Sequence, residues 1–161
     1  MNVLKRLSCR HKILKTTFIS TALIAGLSGC SDSDNDNSTA TAEMIEYEIS
    51  VMNLTHSQPL SPVAVLSHQS DFKGWQIGSA SSAALELLAE GGDNGDFIAM
   101  AGVEHSASGT GVILPGAAES VSLMLEDASS SVTIATMLVN TNDAFSGVTG
   151  FDLTELNSGD S

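Results

Sequence analysis

An antiparallel β-sandwich carrying one short helical insertion is the fold class the sequence predicts, and three observations lead to it. Ile45, Tyr47, Ile49 and Val51 alternate with Glu46, Glu48 and Ser50, the period-two pattern of a strand with one buried face. Short apolar runs recur through the C-terminal half, divided by turn-rich segments and without regular helical crossovers, which favours antiparallel sheets. Only residues 81–90, SSAALELLAE, carry helical spacing.

The elements follow in order. Residues 1–15 contain Lys5, Arg6, Arg10, Lys12 and Lys15 and no acid, the composition of a signal segment held on the cytoplasmic side. Thr16 to Leu27 is an apolar run of twelve residues. A spanning helix needs roughly 20, so this run reads as the hydrophobic region of a signal peptide covering residues 1–29. It ends in Leu27-Ser28-Gly29-Cys30, the bacterial lipobox pattern, in which small residues enter the peptidase cleft and the thiol takes a diacylglyceryl group. Lipid on Cys30 then anchors the exported chain in the cell envelope, since several acyl chains hold where one is marginal. The competing readings are an ordinary signal peptide with a chance cysteine, or a short membrane anchor. Ser31, not Asp, follows the cysteine, which in lipoproteins resembling this one favours the outer membrane. Residues 30–43 contain the polar run SDSDNDNSTATA and are expected to form a tether without a core.

The folded domain is expected over residues 44–157. Strand one spans Ile45 to Val51; the connection Gln58-Pro59-Leu60-Ser61-Pro62 follows, and Val63 to Leu66 forms a second strand, with Pro62 tolerable at a strand start. In the helix, Ala84, Leu87 and Leu88 are expected to share the apolar face, Ser82 to cap the start, and Gly91-Gly92 to stop it. Residues 120–125 and 132–138 flank a turn over 126–130 and are expected to pair as a hairpin. That pairing would bring Glu119 near Val139. Residues 144–153 supply a last strand with Gly147 and Gly150 as flexible points.

Charge is unevenly divided. Five of the six Lys and Arg residues precede Cys30 and none of the 19 acids does. The chain after residue 29 therefore has Lys73 as its one strong base and a formal charge of 1 − 19 = −18. Such a surface repels phosphate, so nucleic acid is excluded as a partner, and it suits a salt-rich medium or divalent cations. Cys9 leaves with the signal and Cys30 is lipidated, so no disulfide or thiol chemistry is expected in the domain.

The stretch Tyr-Glu-Ile-Ser-Val-Met-Asn-Leu-Thr at 47–55, followed by Gln58-Pro59-Leu60-Ser61-Pro62-Val63, resembles the start of the spondin N-terminal domain. His68 with Asp71-Phe72, Gly78 with Ala80-Ser81, Leu87-Ala89-Glu90 before Gly92-Asp93, a Leu-Pro-Gly step at 114–116 and Thr-Asn-Asp-Ala-Phe-Ser-Gly at 141–147 are similar to its bacterial, secreted branch. The resemblance covers nearly all of residues 45–153. It implies a C2-like antiparallel sandwich, an adhesion or binding role in place of catalysis, and a calcium ion at one loop end. The ligands it implies are the Val139 carbonyl and Asp143, with Glu104 as the first acid. The family's tryptophan after that Asp, and its cysteines, are missing here.

Calcium wants 6–8 hard oxygen donors, and Asp143 lies in a run with Asn140, Thr141 and Asn142; the alternative is a local Asx turn. Asp93-Asn94-Gly95-Asp96 lacks EF-hand spacing and reads as a helix-terminating turn. His56, His68 and His105 have no short ligand spacing for zinc and read as surface or loop histidines. No Gly-x-Ser-x-Gly elbow occurs, although Ser61, His68 and Asp71 form the hydrolase trio to test. Trp75 reads as a partly buried core ring, and Asn53-Leu54-Thr55 fits a glycosylation sequon. The sequence thus points to a membrane-anchored, non-enzymatic envelope lipoprotein that binds an unidentified glycan or protein, with calcium shaping its loops. The alternatives are a purely structural or assembly lipoprotein of the periplasm, or a weak hydrolase.

Overall fold

The computed structural model describes residues 7–8, 44–126 and 130–155. The lipobox with Cys30, the tether, and the middle of the 126–130 turn lie outside the described residues. The elements are β1 (Leu7–Ser8), β2 (Ile45–Met52), β3 (Ala64–His68), α1 (Ala83–Gly91), α2 (Gly95–Ile98), β4 (Val103–Ser108), β5 (Ala118–Leu125), β6 (Ser131–Met137), β7 (Phe145–Asp152) and a 3₁₀ turn at Leu153–Glu155. Among the described residues the strands form two antiparallel sheets, β1-β2-β5 and β4-β3-β6-β7. The predicted mainly-β sandwich is the observed class.

The core between the sheets follows from strand alternation. Tyr47, Ile49 and Val51 of β2 and Val121, Leu123 and Leu125 of β5 point inward against Val65, Val132 and Ile134. Their neighbours on the outer face, Glu46, Glu48 and Ser50, remain partly exposed. The second sheet behaves differently. Every residue of β3 and of β6 is buried, because the face turned away from the sandwich is covered as well. There Ala64, Leu66 and Ala135 pack against Leu85 and Leu88 of α1 and Phe97 of α2. The helical insertion is a third layer, placed where an uncovered apolar face would otherwise meet water.

The local signals of α1 operate as read. Ser82 Oγ accepts the Leu85 N–H at 3.2 Å, and Gly92 adopts the left-handed conformation at φ 71° while donating its N–H to Leu88 O. The buried face differs from the expected one. It consists of Leu85, Leu88 and Ala89, whereas Leu87 is 47% exposed. Leucines at 85, 87 and 88 leave two rival faces, and docking on Ala135 and Leu66 selects the one with Leu85 and Leu88. The turn expected at 93–96 begins a further helical turn, α2, and Asn94 ties it to the sheet by donating to Pro62 O at 3.1 Å and Ser108 Oγ at 2.9 Å.

The hairpin expected between residues 120–125 and 132–138 is not formed. β5 pairs along its whole length with β2, from Ile45↔Leu125 to Met52↔Ala118, and β6 lies between β3 and β7. The connection therefore crosses from one sheet to the other. The burial patterns give the reason. β5 alternates and needs one buried face, while β6 is buried on both and requires a central place under the helices. Glu119 accordingly sits opposite Val51 and not near Val139.

His68 is a second departure, since it is fully buried and not a surface histidine. Nδ1 lies 2.7 Å from Gln69 O. A carbonyl only accepts, so Nδ1 carries the proton and Nε2 accepts from Thr133 Oγ1 at 2.8 Å. Thr133 Oγ1 also accepts the Gly150 N–H and meets Thr149 Oγ1, both at 3.1 Å, and Thr149 Oγ1 takes the Gly74 N–H at 3.1 Å. Thr133→Val keeps the shape and strands Nε2 and the Gly150 N–H. It is expected to cost about 1–3 kcal/mol, read as a lower denaturant midpoint at unchanged slope. A loss below about 0.5 kcal/mol, within the range of neutral substitutions, would show that the network contributes little.

Candidate functional site

Two clefts lined by carboxylates flank the four-stranded sheet at its opposite ends. The first holds Asp143. Its loop joins β6 to β7 and is closed by Thr141, whose Oγ1 donates to Leu138 O at 2.6 Å and accepts the Ala144 N–H at 3.1 Å. Leu138 N–H in turn donates to Ala144 O at 2.8 Å. The loop is bound to the connection before β3 through Val139 N–H to Pro59 O at 3.0 Å and Asn140 Nδ2 to Ser57 O at 3.1 Å. Asp143 thus faces a cleft of about 270 Å³ whose other walls include Glu86 and Glu90, one turn apart on α1, and Phe145. Ser81 Oγ donates to Glu86 Oε1 at 2.8 Å. Trp75 meets Phe145 edge-on at 5.1 Å, as a partly buried core ring.

The second cleft, about 250 Å³, is lined by Gln69, Glu104, His105, Glu126 and Ser130. Glu104 lies on β4, where Oε1 accepts from Gln69 Nε2 at 2.5 Å and Oε2 from Ser130 Oγ at 3.2 Å. Ser130 immediately precedes β6, and the Asp143 loop follows it. The seven residues of β6 separate the two ends by on the order of 20 Å at ~3.3 Å per residue. Val139 and Asp143 share one loop, but Glu104 is not brought to them. The three-ligand set implied by the family resemblance therefore does not fit this fold. The mapping failed because β4 was not recognised as a strand, so nothing in the sequence indicated which end Glu104 occupies. Among the described residues, no group of three or more His, Cys, Asp or Glu side chains is placed to hold a metal ion.

The hydrolase trio does not converge either. Ser61 precedes β3 and its Oγ accepts the Met137 N–H at 2.9 Å, whereas His68 ends β3 and is committed to Gln69 O and Thr133. Asp71 is exposed on the following turn. His56 is exposed, and His105 lines the Glu104 cleft.

Two polar residues carry structural roles that a sequence reading passes over. Asn53, the sequon position, is fully buried and bridges the end of β2, the connection to β3 and the segment before β5. Glu119 caps the turn after β4: Oε1 accepts the Thr110 N–H at 2.5 Å and its hydroxyl at 2.7 Å, while Oε2 is buried without a hydrogen-bond partner. It lies against Gly109, where a Cβ would meet Oε2 at 2.5 Å and Val63 N at 2.9 Å. Glycine is therefore required there by close approach. At the far end, Asp152 is held below the ordinary carboxyl range, first by the Thr154 hydroxyl and then by its N–H. No helix among the described residues is long and apolar enough to cross a membrane. The sequence matches no protein-family model and no curated protein.

Proposed function

We propose that the chain is a lipid-anchored, non-catalytic β-sandwich of the spondin type, displayed outside the inner membrane on the outer membrane, to bind a cationic ligand or partner. The observation that carries this reading is the chemistry of the two clefts. Glu86, Glu90 and Asp143 line one and Glu104 and Glu126 the other, and neither lining includes a lysine or arginine. Carboxylates with no fixed cation beside them attract cations and repel phosphate. Calcium fits the first cleft better than the second. Asp143 and the Val139 carbonyl share its loop, and hard oxygen donors with water complete such a shell.

Thermal unfolding of residues 43–161 with calcium, with magnesium and with chelator tests the calcium part. Binding to the folded state alone stabilises by about 2.7 kcal/mol when calcium is a hundredfold above Kd. A calcium-specific upward shift that Asp143→Ala removes, with Glu104→Ala leaving it intact, is the expected result. An equal response to both ions would indicate screening of the fragment's acidic surface, whose formal charge is 1 − 16 = −15. A full calcium response in Asp143→Ala would place the ion elsewhere.

A further inference from the structure

The two ends of the sandwich differ in charge. β2 and β4 finish, and β3 and β5 begin, at the end that holds the connections 53–63, 109–117 and 138–142. None of these segments contains Asp, Glu, Lys or Arg, although the chain after residue 29 has a formal charge of −18. Glu119 and Asp143 stand only at its border, and Asp71, Glu104, Glu126 and Asp152 belong to the opposite end. The uncharged end is also apolar. Leu60 bridges Ile113 on one side and Leu138 on the other, and these three side chains join the core. Alternation therefore turns Val112, Leu114 and Val139 outward. Leu54 is held beside them, because Asn53 N–H donates to Ala117 O and Ala117 N–H to Leu114 O. Leu54, Val112 and Leu114 are each at least half exposed, and Val139 more than a third.

Exposed aliphatic groups gathered in one place mark an interaction surface. Four side chains fall well short of the ~800 Å² per partner of a stable protein interface, which argues against a second copy. A bilayer needs no matching surface, and aliphatic groups that enter its interface leave water. Phosphate headgroups repel carboxylates, so the acidic end turns away from them and the uncharged end towards them. Residues 30–43 lead from Cys30 to the acidic end, where β2 starts. These 14 residues reach at most ~46 Å at ~3.3 Å each, and the eight of β2 span ~26 Å. The domain can therefore turn over and meet the bilayer that holds its lipid. Anchoring keeps it at high effective concentration there, so a weak contact suffices. From this we infer that the end carrying Leu54, Val112, Leu114 and Val139 docks on the phospholipid bilayer in which the chain is anchored. The inference rests on the lipid-anchored reading and involves neither calcium nor Asp143.

The test uses the mature lipidated chain in vesicles of phosphatidylethanolamine and phosphatidylcholine. The Cys30 thiol is acylated there, so a polarity-sensitive fluorophore can be attached to Val112→Cys or, at the opposite end, to Glu126→Cys. Acrylamide should quench the label at 112 at least about threefold less than the label at 126. Leu54→Asp/Leu114→Asp, at two exposed positions, should restore quenching at 112, and Leu54→Ser/Leu114→Ser should restore part of it. Flotation with the vesicles reads the anchor separately. A chain that floats while both labels are quenched alike would overturn the inference and leave the anchor standing. A chain that does not float would refute the anchored reading and the inference with it. Shielding at 112 that grows with protein density in the vesicles would assign the surface to a second copy, and this too would overturn the inference.

Discussion

Asn53→Ala is expected to lower the unfolding free energy by about 2–4 kcal/mol, from ~1–3 kcal/mol for each buried polar group left unpaired. The side chain is fully buried where β2 ends. Its Nδ2 donates to Gln58 O and to Ile113 O, both at 2.8 Å. Its Oδ1 accepts the Thr55 N–H at 3.0 Å and the Thr55 hydroxyl at 2.7 Å. Its main chain is also engaged, with N–H donating to Ala117 O and the carbonyl accepting from Gly116 N–H. One amide therefore joins the end of β2, the connection to β3, and the segment before β5. Leu60, which makes isolated bridges to Ile113 and Leu138, shares the Ile113 carbonyl with this amide. Asn53→Asp should be at least as damaging, because it places a carboxylate against two carbonyl oxygens. Chemical denaturation reads the loss. A change under about 0.5 kcal/mol would mean that water replaces the amide without penalty. The same burial explains why the Asn53-Leu54-Thr55 sequon is unsuited to modification of the folded chain.

Cys30→Ser should abolish incorporation of labelled fatty acid into the protein and block cleavage after Gly29, so that only the longer precursor accumulates. The thiol is the acyl acceptor of the proposed anchor, and a hydroxyl at that position does not replace it. Intact mass and fatty-acid labelling of the wild-type chain and the variant decide the matter. Labelling that persists in Cys30→Ser, or that is missing from the wild-type chain, would sink the anchoring claim.

The β2 strand, the α1 boundaries and the final strand were legible because each rests on a local cause. Ile45 to Val51 alternate, Ser82 and Gly92 cap a helix, and Phe145 to Asp152 is bounded by turn residues. The candidate site was legible only in part. Asp143 and Val139 were close in sequence and remain close in the fold. Glu104 was assigned by order alone, and the strand that carries it, with half-buried and exposed residues in alternation, offers too weak an apolar pattern to be seen. His68 looked like a loop histidine because nothing in its neighbours announces Thr133, which is 65 residues away.

By itself the sequence determined where apolar faces occur, where the helix starts and stops, and how charge divides at Cys30, since periodicity, capping and composition act within a few residues. Tertiary structure alone decided which strands pair. β5 joins β2 and β6 joins β3 and β7, because pairing depends on how many faces of each strand must be buried, and that number is set by the helical layer. It also decided that Glu104 and Asp143 lie at opposite ends of one sheet. A strand's length separates its ends in space by an amount that family likeness and residue order do not contain.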